Sequence, residues 1–246
     1  MNDTVIENFF DKTRDEQIGI YVKALELVGY TQRLPTVINI GAKKAGTTAL
    51  GLLLRAHPQV ASSQKGEVHY FDWNYEKGIE FYRSRFQFST ESQEVFEKTP
   101  RYFITDDVPR RIREDVSPDV KIILNVRDPV ERAVSDYHHE MWLLASKGKS
   151  KGPPIKATFQ DTVLKKNGDV NDESELIHIG KYAMHLKRWL KYFPMNQILV
   201  IDGIEISKDP LKQMRIIEKF LDIKPYFKKE PFIYIKDKSR LLFGKI

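Results

Sequence analysis

Gly41 and Gly46 bracket Ala42-Lys43-Lys44-Ala45, and Thr47-Thr48 follow. A glycine- and lysine-rich turn leading into a helix points several backbone N–H groups at one spot, beside the positive end of the helix dipole. That arrangement binds phosphate. The nucleotide-hydrolysing pattern G-x-x-x-x-G-K-[S/T] needs a lysine directly after its second glycine. Here Thr47 holds that place, and a lysine lies two residues before Gly46, as Lys44. The stretch predicts a phosphate cradle and argues against an ATPase or nucleotide kinase. A second cationic group, Arg127, is followed eight residues later by the hydroxyl of Ser135. An arginine fork and a hydroxyl together can hold another phosphate. The plainer reading pairs Arg127 with Asp128 or Asp136.

These groups need elements to position them. Residues 36–41 are mostly apolar and β-branched, which predicts a buried parallel strand. The helix after the turn runs to about Ala56, where His57-Pro58 stops it. Val60-Ala61-Ser62 leads into Gln64–Asp72, a loop loaded with polar and aromatic groups. Residues 77–86 have helical spacing, Val95–Lys98 reads as a strand end, and Asp106-Asp107 read as caps of a helix to about Glu114. Residues 120–126 form a second buried strand, and Pro129 opens a helix to about Leu144. A basic loop at 146–154 and a helix at about 155–165 follow. Residues 180–192 put Tyr182, His185, Leu186 and Trp189 on one side of a helix. A strand at 198–201 and a helix at 210–221 complete the pattern. Strands alternating with helices predict an α/β fold, one domain with a central parallel sheet flanked by helices. Residues 1–33 read as a peripheral helical arm on a domain spanning 34–246.

The 246 residues are 41% hydrophobic and 30% charged, enough apolar content for a real core. The net charge of +6 suits either a solvated lysine-rich surface or a basic cleft for an anionic partner. There is no cysteine, which excludes disulfides, thiolate metal sites and cysteine catalysis. The first 30 residues hold no long apolar run, so the sequence predicts no signal peptide or membrane span there.

Gly41–Leu50 resembles the 5′-phosphosulfate loop of sulfotransferases. Val126-Arg127-Asp128-Pro129, with Arg132-Ala133 and Ser135-Asp136-Tyr137, resembles their 3′-phosphate segment. Glu67–Asp72, Glu97–Phe103 and Gly180–Leu186 are similar to stretches of the heparan sulfate glucosamine 3-O-sulfotransferases, in the same order. The likeness covers roughly residues 34–240 and implies a P-loop-like fold. It also implies 3′-phosphoadenosine 5′-phosphosulfate (PAPS) as sulfuryl donor, an anionic polysaccharide acceptor such as heparan sulfate, and no nucleic acid or metal.

The resemblance carries roles onto individual residues. Glu67 becomes the base that takes the proton of the attacking hydroxyl. Lys44 stabilises charge growing on the bridging oxygen of the leaving phosphate. His69 and Asp72 line the acceptor side, where His69 has a catalytic part, and Lys98 sits where donor and acceptor meet. Lys43, Lys44, Ala45, Gly46, Thr47, Thr48, Arg127 and Ser135 form the donor set. Lys43 adds to the field or faces solvent. His139 stands on the acceptor side, where these enzymes carry an amide. Arg83, Arg85, Arg101, Lys147, Lys149 and Lys151 are further candidates for an acceptor groove.

The resemblance also sets expectations that this chain departs from. Phe232–Lys238 resembles the approach to a disulfide hairpin and, beyond it, a Lys- and Gly-rich loop that closes over the donor; with no cysteine and the sequence ending at Ile246, both the disulfide and that loop are expected to be missing. The family implies the Golgi lumen, whereas the chain taken as complete would be cytoplasmic. A competing reading is a relative that binds nucleotide or anionic glycan without turnover.

Overall fold

A computed structural model describes residues 13–64, 66–147, 155–228, 232–235 and 240–243. In chain order its strands are β1 (Thr31–Gln32), β2 (Val37–Gly41), β3 (Val60–Ser62), β4 (Phe88–Ser89), β5 (Glu94–Lys98), β6 (Lys121–Val126), β7 (Ile198–Asp202), β8 (Phe232–Ile235) and β9 (Arg240–Phe243). Its α-helices are α1 (Arg14–Leu27), α2 (Thr47–Arg55), α3 (Tyr70–Trp73), α4 (Gly78–Arg83), α5 (Val108–Asp115) and α6 (Pro129–Lys147). They continue with α7 (Phe159–Val163), α8 (Glu175–Ile179), α9 (Tyr182–Trp189), α10 (Glu205–Lys208) and α11 (Pro210–Leu221).

Five strands form the central sheet in the order β3-β5-β2-β6-β7, and every pairing is parallel. The predicted α/β architecture is therefore the observed one. All five residues of β2 are buried, as a strand covered on both faces requires. Alternation along the strands sends side chains to two cores. On one face Val37, Phe96 and Ile123 pack with Leu50, Leu53 and Leu54 of α2 and with Met214, Ile217 and Leu221 of α11. On the other, Ile38, Ile40, Ile122 and Leu124 pack with Tyr70, Phe71, Tyr82, Tyr102, Phe103 and Trp189. Because the strands run parallel, all five carboxyl ends open on one edge, the place where ligands collect in open α/β sheets.

Several predicted elements shift. Asp107 precedes α5 but makes no side-chain capping bond. Its carboxylate instead pairs with Arg110 and Arg111 on the helix it was expected to cap. The helix expected at 155–165 shortens to α7, capped by the Thr158 hydroxyl. In the arm, α1 begins at Arg14 with a Thr13–Glu16 capping box and buries none of its residues. The segment resembling the disulfide hairpin is an antiparallel hairpin of β8 and β9, with Ile233 opposite Leu242. The candidate lysines Lys149 and Lys151 lie outside the described residues.

Candidate active site

The phosphate turn leaves the end of β2 and is held from three sides. The Ala42 N–H donates to the Asn125 carbonyl of β6 at 2.7 Å. A Cβ on Gly41 would stand 2.6 Å from the Pro100 carbonyl oxygen, and one on Gly46 would stand 2.7 Å from that of Gly203. Gly46 also has φ +82°, a left-handed conformation that glycine adopts without strain. Gly203, just past β7, comes closer still: its Cβ would fall 1.9 Å from the Ala45 carbonyl oxygen. Ala45 itself is fully buried, so it shapes the turn from behind. Gly46 caps α2 without a side-chain bond, and the first-turn N–H groups have no partner within the helix. Thr47 and Thr48 stand there.

The two lysines of the turn divide the work. The Lys43 amine lies 2.9 Å from Asp136 and 2.5 Å from Glu140, two carboxylates of α6 that are almost wholly buried. Burial works against its charge, but these partners prevail and raise its pKa. The Lys43 amine is therefore paired with α6 and ties the turn to that helix while its side chain still borders the cavity. Lys44, at φ +67°, turns the other way. Its amine makes no ion pair among the described residues, and its pKa is lowered, first by burial and then by Lys43 against the pull of Asp136.

Across the cavity, Glu67 follows β3 and Lys98 ends β5. The Lys98 amine donates to Glu67 Oε1 at 2.6 Å, and His69 Nε2 stands 3.3 Å from Glu67 Oε2. The other ring nitrogen, His69 Nδ1, lies 2.8 Å from Asp72 Oδ2. Burial resists both charges here, but the ion pairs win. Glu67 is drawn down to about 2 by His69 and Lys98, and His69 is pushed up to about 9 by Asp72 and Glu67. The His69 ring is thus an imidazolium at neutral pH. It stacks on Trp73 with centroids 3.7 Å apart and planes 8° from parallel.

One cavity of about 990 Å³ joins these groups. Lys43, Lys44, Gly46, Thr47, Thr48, Glu67, His69, Ser135 and His139 all line it, with Trp73 and Arg101. Burial, then Lys44 and Lys43, lower the pKa of His139. Lys98 and Asp72 reach the cavity through Glu67 and His69. Arg127 lies beside it: one guanidinium nitrogen is 3.5 Å from the Lys44 carbonyl and another is 2.6 Å from Glu131. Its partner is therefore Glu131, not Asp128 or Asp136, because a helix starting at Pro129 puts Glu131 on the guanidinium's side. Among the other candidate basic residues, Arg83 pairs with Glu80 and Arg85 covers the Phe81 ring. Among the described residues no group of three or more His, Asp or Glu is arranged to hold a metal ion. No helix there is long and apolar enough to cross a membrane.

Sequence reasoning missed Gly203, Trp73 and Glu140, and it weighed Asp136 against Arg127 rather than Lys43. The glycine had a signal, its place directly after a strand. The two acids sit four residues apart on α6, a spacing that shares one helix face.

A sulfotransferase domain family matches residues 34–239. The chain is 39% identical over 197 residues to heparan sulfate glucosamine 3-O-sulfotransferase 5 of Mus musculus, an alignment covering 79% of this chain and 55% of that protein. It is 38% identical over 218 residues to heparan sulfate glucosamine 3-O-sulfotransferase 3A1 of Homo sapiens, covering 88% of this chain and 51% of that one. The chain thus spans about half the length of the curated relatives it matches. Among solved structures, a sulfotransferase from Alicyclobacillus acidocaldarius superposes with a TM-score of 0.64 at 24% identity, covering 80% of this chain and 87% of that one. Mouse sulfotransferase SULT7A1 complexed with PAP gives 0.51 at 19% identity, covering 84% and 65%. These two likenesses bear on the fold.

Proposed function

Because the chain belongs to the sulfotransferase family, matched over residues 34–239, we propose that it transfers a sulfuryl group from PAPS to a glucosamine hydroxyl of heparan sulfate or a similar glycan. The observation that carries this reading is that Lys44, an amine without an ion pair among the described residues, and Glu67, a carboxylate held ionised, line the same cavity. Charge that grows on a leaving phosphate and a proton that must leave a hydroxyl each have a receiver.

The residues fit a phosphate donor. Gly46 and Gly203 leave no room for a Cβ where the turn and β7 close on each other, and the first turn of α2 offers unpaired N–H groups. Thr47, Thr48 and Ser135 add hydroxyls on the cavity wall. Arg127, beside the Lys44 carbonyl, is the cation for a second phosphate. When bound, PAPS supplies an activated sulfuryl group and a phosphate that departs from it.

Every other part belongs to this chain. Lys44 stabilises the departing phosphate oxygen more in the transition state than in the ground state. Glu67 accepts the hydroxyl proton. At rest its basicity is suppressed by Lys98 and His69. Lys98 can turn from Glu67 toward an anionic sulfonate, and in doing so it returns basicity to the carboxylate. His69, fixed by Asp72, orients Glu67. Trp73, stacked on His69, Arg101, ion-paired with Glu175, and His139 make up the acceptor side of the cavity. A Golgi location accompanies this reading.

Incubation with sulfur-labelled PAPS and N-sulfated heparan oligosaccharides tests it. Labelled glycan is expected, with the new sulfate on a glucosamine hydroxyl, and Glu67→Gln removes the label. Binding of PAP without label in any glycan would overturn the transfer reaction and leave a binding protein. Magnesium-dependent ATP hydrolysis would overturn the donor.

A further inference from the structure

Glu97 is fully buried, and nothing in the transfer chemistry uses it. It sits on β5 directly before Lys98, and successive strand residues point to opposite faces. Lys98 therefore reaches over Gly51 of α2 to the cavity, while Glu97 enters the aromatic core behind Glu67–Trp73. There Oε2 accepts the Tyr82 hydroxyl at 2.8 Å and Oε1 accepts the Thr99 hydroxyl at 2.6 Å. The Tyr102 hydroxyl lies near enough to favour this carboxyl's charge.

These hydroxyls have second duties. Thr99 Oγ1 accepts the backbone N–H of His69 at 3.3 Å. The Tyr102 oxygen accepts the N–H groups of Tyr70 at 2.9 Å and Phe71 at 3.3 Å. A hydroxyl has one proton to give and lone pairs to receive. With its proton committed to Glu97, the Thr99 oxygen is left facing the loop as an acceptor. Tyr82 completes the contact by stacking on Tyr70, with centroids 4.5 Å apart. The held backbone includes His69 at φ +51°, a left-handed conformation uncommon for a non-glycine residue. Burial pushes the Glu97 carboxyl up to about 7, against the pull of Thr99, Tyr82 and Tyr102.

We infer that Glu97, acting through Thr99, is a positioning residue: it anchors the backbone N–H of His69, beside the Tyr102 bonds to Tyr70 and Phe71, and so keeps the His69 ring between Glu67 and Asp72. β5 thereby grips the same segment twice, by side chain through Lys98 and by backbone through Glu97. The effect on turnover rests on the proposed sulfuryl transfer; the effect on His69 does not.

Histidine titration by NMR, with no donor or acceptor present, tests the anchor. The full chain is compared with Thr99→Val, Thr99→Ser and Glu97→Gln. Thr99→Val and Glu97→Gln are expected to move the His69 titration at least about one pH unit toward the free-imidazole value, and Thr99→Ser to restore it. In parallel, kcat falls about tenfold or more in the first two variants, while PAP affinity stays within about twofold, because the phosphate cradle hangs on β2 and α2. An unchanged His69 titration in Thr99→Val, or a Thr99→Ser variant that behaves like Thr99→Val, would overturn the inference. Should Glu97→Gln fail to fold, the two Thr99 variants decide the matter. An unmodified chain that transfers no sulfuryl group, yet shows the titration pattern, overturns the proposed reaction and leaves the anchor standing.

Discussion

Glu67 and Lys98 lie 31 residues apart in sequence and meet at 2.6 Å. The contact helps hold Glu67 ionised and lowers its basicity; in the proposed mechanism that basicity returns when Lys98 finds another anion. Replacing Lys98 with methionine removes one of the two cations that draw Glu67 down to about 2. The acid limb of the kcat/KM profile for glycan sulfation then moves to higher pH, and its midpoint reports the freed carboxyl.

Glu67→Gln keeps the shape of the side chain and loses the proton acceptor. Turnover falls by about 10²–10⁴, while PAP binds as before by calorimetry. Loss of PAP binding in this variant would place Glu67 in the donor site.

The two lysines of the turn separate under mutation. Lys44→Ala lowers kcat by about 10²–10³ and leaves the melting temperature nearly unchanged. Lys43→Met removes one cation from the almost fully buried Asp136 and Glu140 while Asp136 keeps its pair with Arg132, and costs about 1–3 kcal/mol in chemical denaturation. Equal effects of both on stability would contradict this division of roles.

The Glu67–His69–Asp72 cluster makes stability depend on pH, with a sign that can be worked out. His69 is pushed up to about 9, so its contribution is complete below its unfolded value near 6.5 and is lost as pH rises through about 9. Glu67 is drawn down to about 2, so its contribution is present above about 4.5 and is lost as pH falls through about 2. The melting temperature therefore declines between pH 7 and 10, and His69→Asn flattens that decline.

Gly203→Ala drives a Cβ into the Ala45 carbonyl, 1.9 Å away. The turn must open, and PAP affinity falls at least about tenfold, with a loss of about 1–3 kcal/mol in stability. Gly29→Ala, where a Cβ meets nothing within 4 Å, leaves PAP binding intact.

The fold was legible because its strands are apolar runs and its helices are amphipathic. Pro210–Leu221 begins and ends where the pattern predicts. The phosphate turn was legible because glycine, lysine and threonine crowd into eight residues. What stayed hidden depends on contacts between distant elements. Nothing in Lys43-Lys44 says which lysine is spoken for, since Asp136 and Glu140 reach the turn only once α6 lies beside it. Arg127 looked for acids next to it in sequence or one residue past Ser135, and Glu131 won through i,i+4 spacing. Glu97 read as part of a strand end within a family-like stretch, and only the Tyr82 and Thr99 hydroxyls packed against it show what it holds.

The strand order has a kinetic consequence. β2 carries the phosphate turn, yet its neighbours are β5 and β6, drawn from later in the chain. The backbone clasp on Ala45 waits longer still, for Gly203 beyond β7. Parallel pairings of such long sequence separation close slowly. A nascent chain emerging from the ribosome therefore holds its anion cradle unformed until almost the whole domain has been made. On refolding, recovery of PAP binding coincides with burial of the central strands rather than preceding it.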